Sequence, residues 1–323
     1  MNMRSIALLT CASALALVLP ACGASVPSSN TPGGSGTQWR LNAGGAAHAN
    51  AYQGLQYYPK TIAINAGDTV TWTFASLEPH TVTFLGAGQA TPPPATDPSA
   101  PRPAGGSSYD GSTYTSSGFI AGGFSYSLTF SKPGTYPYYC LIHQPEMQGV
   151  IVVNPAGTAY PFNEDSYSRQ ATTQVQSDLA SAAASLAQFP YAPGGTHIAA
   201  GIAPGLASAP PAPVTVNRFI VDTNVDDSTI TVPAGSTVTW TNQANNSPHT
   251  ITFPIAGQPL PALPGDPFTP PIGGSTYDGS QVTNSGVIAP GQNYSLTFTK
   301  AGTYVYYCLF HDQEGMQGTI VVQ

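Results

Sequence analysis

The chain is one domain written twice. EPHTVTF around His80 returns as SPHTITF around His249, and GGSSYDGS from Gly105 returns as GGSTYDGS from Gly273. The run Tyr126 to Phe130 is repeated intact at Tyr294 to Phe298, and the stretch from Gly134 to Val153 is matched from Gly302 to Val322. So long a period excludes a solenoid of short repeats, and each copy must close its own core. The 323 residues leave room for two ordinary domains.

Within a copy the pattern is strand after strand. Thr61 to Ile64, a turn at Ala66-Gly67-Asp68, and Thr69 to Phe74 alternate apolar and hydroxyl side chains. Thr229 to Val232, Pro233-Ala234-Gly235 and Ser236 to Trp240 do the same in the second copy. Tyr126 to Phe130, Gly134 to Cys140 and Gly149 to Val153 supply the last strands. Short strands punctuated by Gly and Pro predict an all-β protein of two Greek-key β-sandwiches. Between the copies the style changes. Asn163 or Asp165 is placed to cap a helix with an apolar face of Val175, Leu179, Ala182, Ala183 and Leu186, ended by Phe189-Pro190. The expected organisation is a first domain over 38–155, a linker with one α-helix over 156–195, and a second domain over 196–323. Each copy also carries a Pro-rich loop, Thr91 to Pro103 and Gln258 to Pro271, readable as a solvated insertion or as a docking surface.

The N-terminus reads as an export signal. Arg4 precedes an apolar run from Ile6 to Pro20, too short to span a bilayer comfortably. The run ends in Leu19-Pro20-Ala21-Cys22, similar to the lipobox of bacterial lipoproteins, which implies cleavage before Cys22 and lipid on its sulfur. A plain signal peptide and an uncleaved anchor are the alternatives. Residues 1–22 are thus the signal and 23–37 a Gly/Ser/Pro tether. An extracytoplasmic, membrane-anchored protein is expected.

Export sharpens the cysteine count. Of four cysteines, Cys11 lies in the apolar run and Cys22 is the lipid site, leaving Cys140 and Cys308, one per copy. Exported thiols ordinarily pair, so lone cysteines at matching positions suggest metal ligands. The first copy offers His80, then Cys140, His143 and Met147; the second offers His249, then Cys308, His311 and Met316. Two imidazoles and a thiolate with a weak thioether are the ligand set of type 1 (blue) copper.

On these motifs both halves resemble cupredoxins, particularly the plastocyanin, pseudoazurin and amicyanin group. The resemblance rests on the first His, the AGDTVTW or AGSTVTW strand before it, and the Cys-x2-His-x4-Met of the second copy. The first copy's loop is one residue shorter, between the amicyanin-like and plastocyanin-like lengths, with Glu146 beside Met147 as a rival ligand. Thr81 and Thr250 stand where many cupredoxins carry Asn, and their N–H groups are expected to reach the Cys sulfurs. The resemblance implies two copper ions, one per domain. It also implies single-electron transfer through partly exposed His143 and His311, with redox protein partners docking near them.

Composition narrows the competing functions. A net charge of −7 and only 7% charged residues offer no basic patch for nucleic acid. An oxidase or nitrite reductase needs many more histidines, one of them beside the type 1 Cys. Here the neighbours are Tyr139, Leu141, Tyr307 and Leu309, and only His48 and His197 remain of six histidines. Both read as surface or strand residues, so no enzyme is expected unless subunits pool ligands. Copper delivery would favour Met-rich or His-rich tracts, yet there are four Met in all. Tyr138 and Tyr306 read as core, and Asp110 and Asp278 as turn residues.

Overall fold

The computed structural model describes residues 36–95, 97–188, 195–203, 213–222, 224–244, 247–258 and 268–323. Cys11, Cys22, the signal segment, all but the end of the tether, Phe189-Pro190 and much of the second Pro-rich loop lie outside these residues.

The first copy forms β1 (Gln38–Ala47), β2 (Tyr52–Tyr58), β3 (Thr61–Asn65), β4 (Thr69–Phe74) and β5 (Thr83–Phe84). It continues with β6 (Ser108–Tyr109), β7 (Thr115–Ser116), β8 (Ser125–Phe130), β9 (Gly134–Tyr139) and β10 (Gln148–Asn154). After α1 (Glu164–Gln188) come β11 (His197–Ile202), β12 (Val214–Ile220), β13 (Thr229–Val232), β14 (Thr237–Gln243) and β15 (Thr252–Phe253). The chain finishes with β16 (Thr276–Tyr277), β17 (Thr283–Asn284), β18 (Asn293–Phe298), β19 (Gly302–Tyr307) and β20 (Gln317–Val322).

Strand alternation builds each core. In β4, Val70, Trp72 and Phe74 turn inward, while Thr69 and Thr71 pair their hydroxyls with Thr129 and Ser127 of β8. Trp72, Phe84, Phe130 and Tyr138 fill one sandwich; Trp240, Phe253, Phe298 and Tyr306 fill the other. Each such ring contributes about 1.5–3 kcal/mol on burial.

The two sandwiches share a sheet. Its ten strands run β16-β18-β14-β11-β12-β2-β1-β4-β8-β6, and a five-stranded sheet faces each half, β3-β10-β9-β5-β7 and β13-β20-β19-β15-β17. The seam is antiparallel: Tyr52 pairs with Val216, Gln53 with Thr215 and Gly54 with Val214. Equivalent bulges at Gly44 and Gly201 make Gln53 the counterpart of Thr215. Those two residues pair with each other, as strands crossing a two-fold axis must. The duplication has therefore docked like a symmetric dimer inside one chain.

α1 straddles this seam. Asn163 is the cap, accepting the Ser166 N–H at 2.9 Å. The expected apolar face does pack inward, joined by Tyr167 and Ala171 at its start. Tyr58 donates to Asp178 at 2.7 Å in the first domain, while Ala182 and Leu186 pack with Val214 and Val216 of β12.

Candidate metal centres

Each site is assembled from one distant strand and one local loop. His80 follows β4 and is pinned by a reciprocal backbone pair with Ile120. Cys140 ends β9. The chain then folds back so that the Cys140 N–H reaches the Met147 carbonyl at 3.0 Å and the Met147 N–H reaches the His143 carbonyl at 2.9 Å. The second loop closes identically, Cys308 to Met316 at 3.1 Å and Met316 to His311 at 3.0 Å. Its extra residue is absorbed at Gly315, whose φ of +84° suits glycine. The difference in loop length thus leaves Met147 and Met316 with the same backbone relation to their cysteines.

The donor atoms converge. His80 Nδ1 and His143 Nδ1 are 3.1 Å apart, and Cys140 Sγ lies 3.9 and 3.5 Å from them. In the second copy the corresponding separations are 3.2, 3.7 and 3.3 Å. The centre of each triangle lies about 2 Å from all three atoms, an imidazole–metal bond length. The two His–Cys–His groups therefore fit two type 1 copper sites. Met147 packs beside Cys140 in one core and Met316 beside Cys308 in the other.

Threonine holds each sulfur. The Thr81 N–H points at Cys140 Sγ and the Thr250 N–H at Cys308 Sγ, both at 3.4 Å. Their hydroxyls accept from Leu141 N and Leu309 N at 2.9 and 2.8 Å, fixing the start of each loop. Burial works to raise the Cys140 thiol, but His143 and His80 override it and hold it well below the ordinary range. Burial likewise lowers His143, yet Cys140 and Glu78 push it up to about 10.

One expectation is corrected. His143 and His311 are not partly exposed; both are 0% exposed, as are the other six candidate ligands. The reason is the domain seam, where the two imidazole edges face each other across Glu78. Glu78 Oε1 accepts from His143 Nε2 at 2.9 Å, and Oε2 lies 3.0 Å from His311 Nε2. Asn217 donates to Glu78 Oε2 at 2.6 Å and to Glu314 Oε2 at 3.1 Å, and Gln53 donates to Glu314 at 3.1 Å. Burial opposes ionisation of Glu78, but His311 and His143 hold its carboxyl well below the usual range.

Sequence reasoning missed Glu78, Glu314, Gln53 and Asn217. The available signal was the one charged mismatch in the repeated motif, Glu78 against Ser247. It also missed Gly44 and Gly201, although a glycine inside a strand pattern marks a bulge or a close approach. The remaining candidates fall as expected. His48 sits 3.2 Å from Asp226 and His197 is exposed at the start of β11, both apart from either donor triangle. Asp110 and Asp278 each accept from the backbone and hydroxyl of a serine two residues on, closing turns. The Pro-rich loop of the first copy is tied to the ligand loop by Gln144, which donates to the Pro93 carbonyl at 2.8 Å.

Two β-sandwiches, each closing a His–Cys–His triangle at one end, define a cupredoxin-type copper protein. The family model for copper-binding proteins of the plastocyanin/azurin family matches residues 45–154 and 222–323, more than half of the chain. The chain belongs to that family. It is 39% identical over 98 residues to plastocyanin of Scenedesmus fuscus, covering 30% of this chain and 85% of that one. It is 33% identical over 95 residues to plastocyanin of Sambucus nigra, covering 29% and 83%. Among solved structures, a reduced amicyanin mutant is 25% identical with a TM-score of 0.25, over 36% of this chain and 82% of that one. Auracyanin from Roseiflexus castenholzii is 26% identical with a TM-score of 0.23, over 30% and 86%.

Proposed function

We propose that this chain is an extracytoplasmic electron carrier with two type 1 coppers, lipid-anchored at Cys22 and tethered through residues 23–37. His80, Cys140, His143 and Met147 hold the copper of a domain spanning 38–155. His249, Cys308, His311 and Met316 hold that of a domain spanning 196–323. The observation that carries this reading is the pair of matched donor triangles, each with three atoms at trigonal spacing. Copper, when bound, supplies the one-electron Cu(I)/Cu(II) couple.

The chain's own contribution is rigidity and dryness. Strand ends and closed loops fix the donors, the Thr81 and Thr250 N–H groups orient the thiolates, and full burial excludes water. Burial also weighs against copper delivery, which requires donors that an acceptor can reach. The enzyme reading needs further histidines, and among the described residues His48 and His197 lie outside both donor sets. Redox proteins are the expected partners. Because His143 and His311 face each other, partners exchange electrons through the surrounding protein surface and not through exposed imidazole edges.

The test is EPR of the copper-loaded chain made from Gly23 onward, with spins counted against total copper. Two coppers, both with narrow type 1 hyperfine splitting, support the reading. A type 2 signal or spin-silent oxidised copper reopens the enzyme reading.

A further inference from the structure

The two candidate centres are joined by an unbroken line of contacts. From Cys140 Sγ the steps are 3.5 Å to His143 Nδ1, then 2.9 Å from its Nε2 to Glu78 Oε1. They continue 3.0 Å from Glu78 Oε2 to His311 Nε2, and 3.3 Å from His311 Nδ1 to Cys308 Sγ. Every member is at most 1% exposed.

Glu78 is not there to close the sandwich. Its counterpart in the second copy is the buried Ser247, and that domain folds to the same pattern. Burying a carboxylate is costly unless its oxygens are hydrogen-bonded. Here His143 and Asn217 donate N–H to them, and His311 Nε2 stands 3.0 Å from the second oxygen as an ion-pair contact. A second copy of Glu78 facing it across the two-fold axis would add to the repulsion from the buried Glu314, whose Oε2 already shares the Asn217 amide with Glu78. The duplication keeps a single Glu78, and it reaches both histidines.

We propose that Glu78 is the bridge for direct electron exchange between the two centres, making the chain an internal two-site relay. This rests on the reading that both donor sets hold type 1 copper. One electron leaves Cu(I) of one centre and reduces Cu(II) of the other. No proton or co-reactant is needed, because the same two contacts, the His143 hydrogen bond and the His311 ion pair, hold Glu78 between the imidazoles before and after. Hydrogen-bonded contacts couple donor and acceptor more strongly than gaps of the same length, and charge-assisted ones are short. A competing use exists: Glu78, His311 and Glu314 also have ligand atoms within 4.8 Å of one another. A metal there would need His311 Nε2 while Nδ1 serves the Cys308 set.

The experiment compares Glu78 with Glu78→Gln and Glu78→Asp in a Met316→Gln background, which separates the two copper spectra. Gln keeps the shape but donates with one end, breaking one side of the bridge; Asp keeps the charge but cannot span both rings. After flash reduction, the Glu78 protein should show first-order equilibration between the two bands, independent of protein concentration. At least a tenfold slowing is expected in both variants. An unchanged rate in variants that bind two coppers, or a rate proportional to protein concentration with Glu78 in place, overturns the relay. So does a third metal per chain that is lost with Glu78. Fewer than two type 1 signals overturns the copper reading and the relay with it; two signals with unchanged exchange overturn the relay alone. A measurement on the unsubstituted Cu(I) protein needs no variant. NMR should show the Nε2–H protons of His143 and His311 strongly downfield and slow to exchange with water, and a freely exchanging His311 proton overturns the bridge.

Discussion

Gly44 lies against His80 so closely that a Cβ added to it would stand 2.3 Å from the imidazole Nε2, and Gly201 bears the same relation to His249. Both glycines have positive φ, +75° and +68°, at the bulge of their strands. Gly44→Ala is expected to cost about 1–3 kcal/mol through backbone strain and overpacking. It should distort only the first copper spectrum, and Gly201→Ala only the second. Thermal melts with EPR of each variant check this; wild-type melting and spectra would contradict it.

The duplicated donor sets predict additive colour. Cys140→Ser and Cys308→Ser should each remove about half of the visible charge-transfer intensity, since the thiolate is the chromophoric ligand. Optical titration with copper measures it, and full intensity in either variant would remove that cysteine from the ligand set.

The two midpoint potentials should differ. The second ligand loop carries the extra Gly315 and places the buried Glu314 near His311, while the first has the half-buried Glu146 and no such insertion. Charge and hydrogen bonding around a metal's ligands tune its potential. A redox titration resolving only one potential would count against this.

Asp68 accepts from Trp39 Nε1 at 3.0 Å, from Asn65 N at 2.8 Å and from Thr37 N at 2.8 Å, and it is 2% exposed. Asp68→Ala strands these donors, so a loss of about 2–4 kcal/mol is expected by urea unfolding. Ser236 takes its place in the second copy, and Ser236→Ala should stay within about 0.5 kcal/mol. Equal effects would refute the assigned hub.

Burial raises the Asp178 carboxyl above its ordinary value, against the lowering effect of the Tyr58 hydroxyl. A raised folded value gives stability that is full below the unfolded pKa of about 3.9 and lost as pH rises through the folded one. Asp178→Asn lacks that loss. Its stability relative to the parent should therefore improve from about pH 3 to pH 7, where the parent's Asp178 is ionised. Parallel melting curves across this range would show that Asp178 titrates normally.

Much of this protein was written locally. The strands follow from alternation, as in Thr69 to Phe74, and the helix from Asn163 and its spaced apolar residues. Cys140, His143 and Met147 share one short loop, so their spacing alone announces a site. Repetition of the set around Cys308 turned a weak motif into a strong one. What the sequence did not determine is how the two copies meet. β2 and β12 are edge strands of their own sandwiches, and an unpaired edge accepts any complementary partner, so alternation does not name which. Only the folded chain pairs Gln53 with Thr215, and only that register brings positions 78, 143, 217 and 311 together. It sets His143 and His311, both fully buried, facing each other across Glu78. The candidate ligands are thus a property of each copy's sequence, and the contact between them is a property of docking, because contacts such as Asn217 to Glu78 and Glu78 to His311, each spanning more than a hundred positions, leave no period to read.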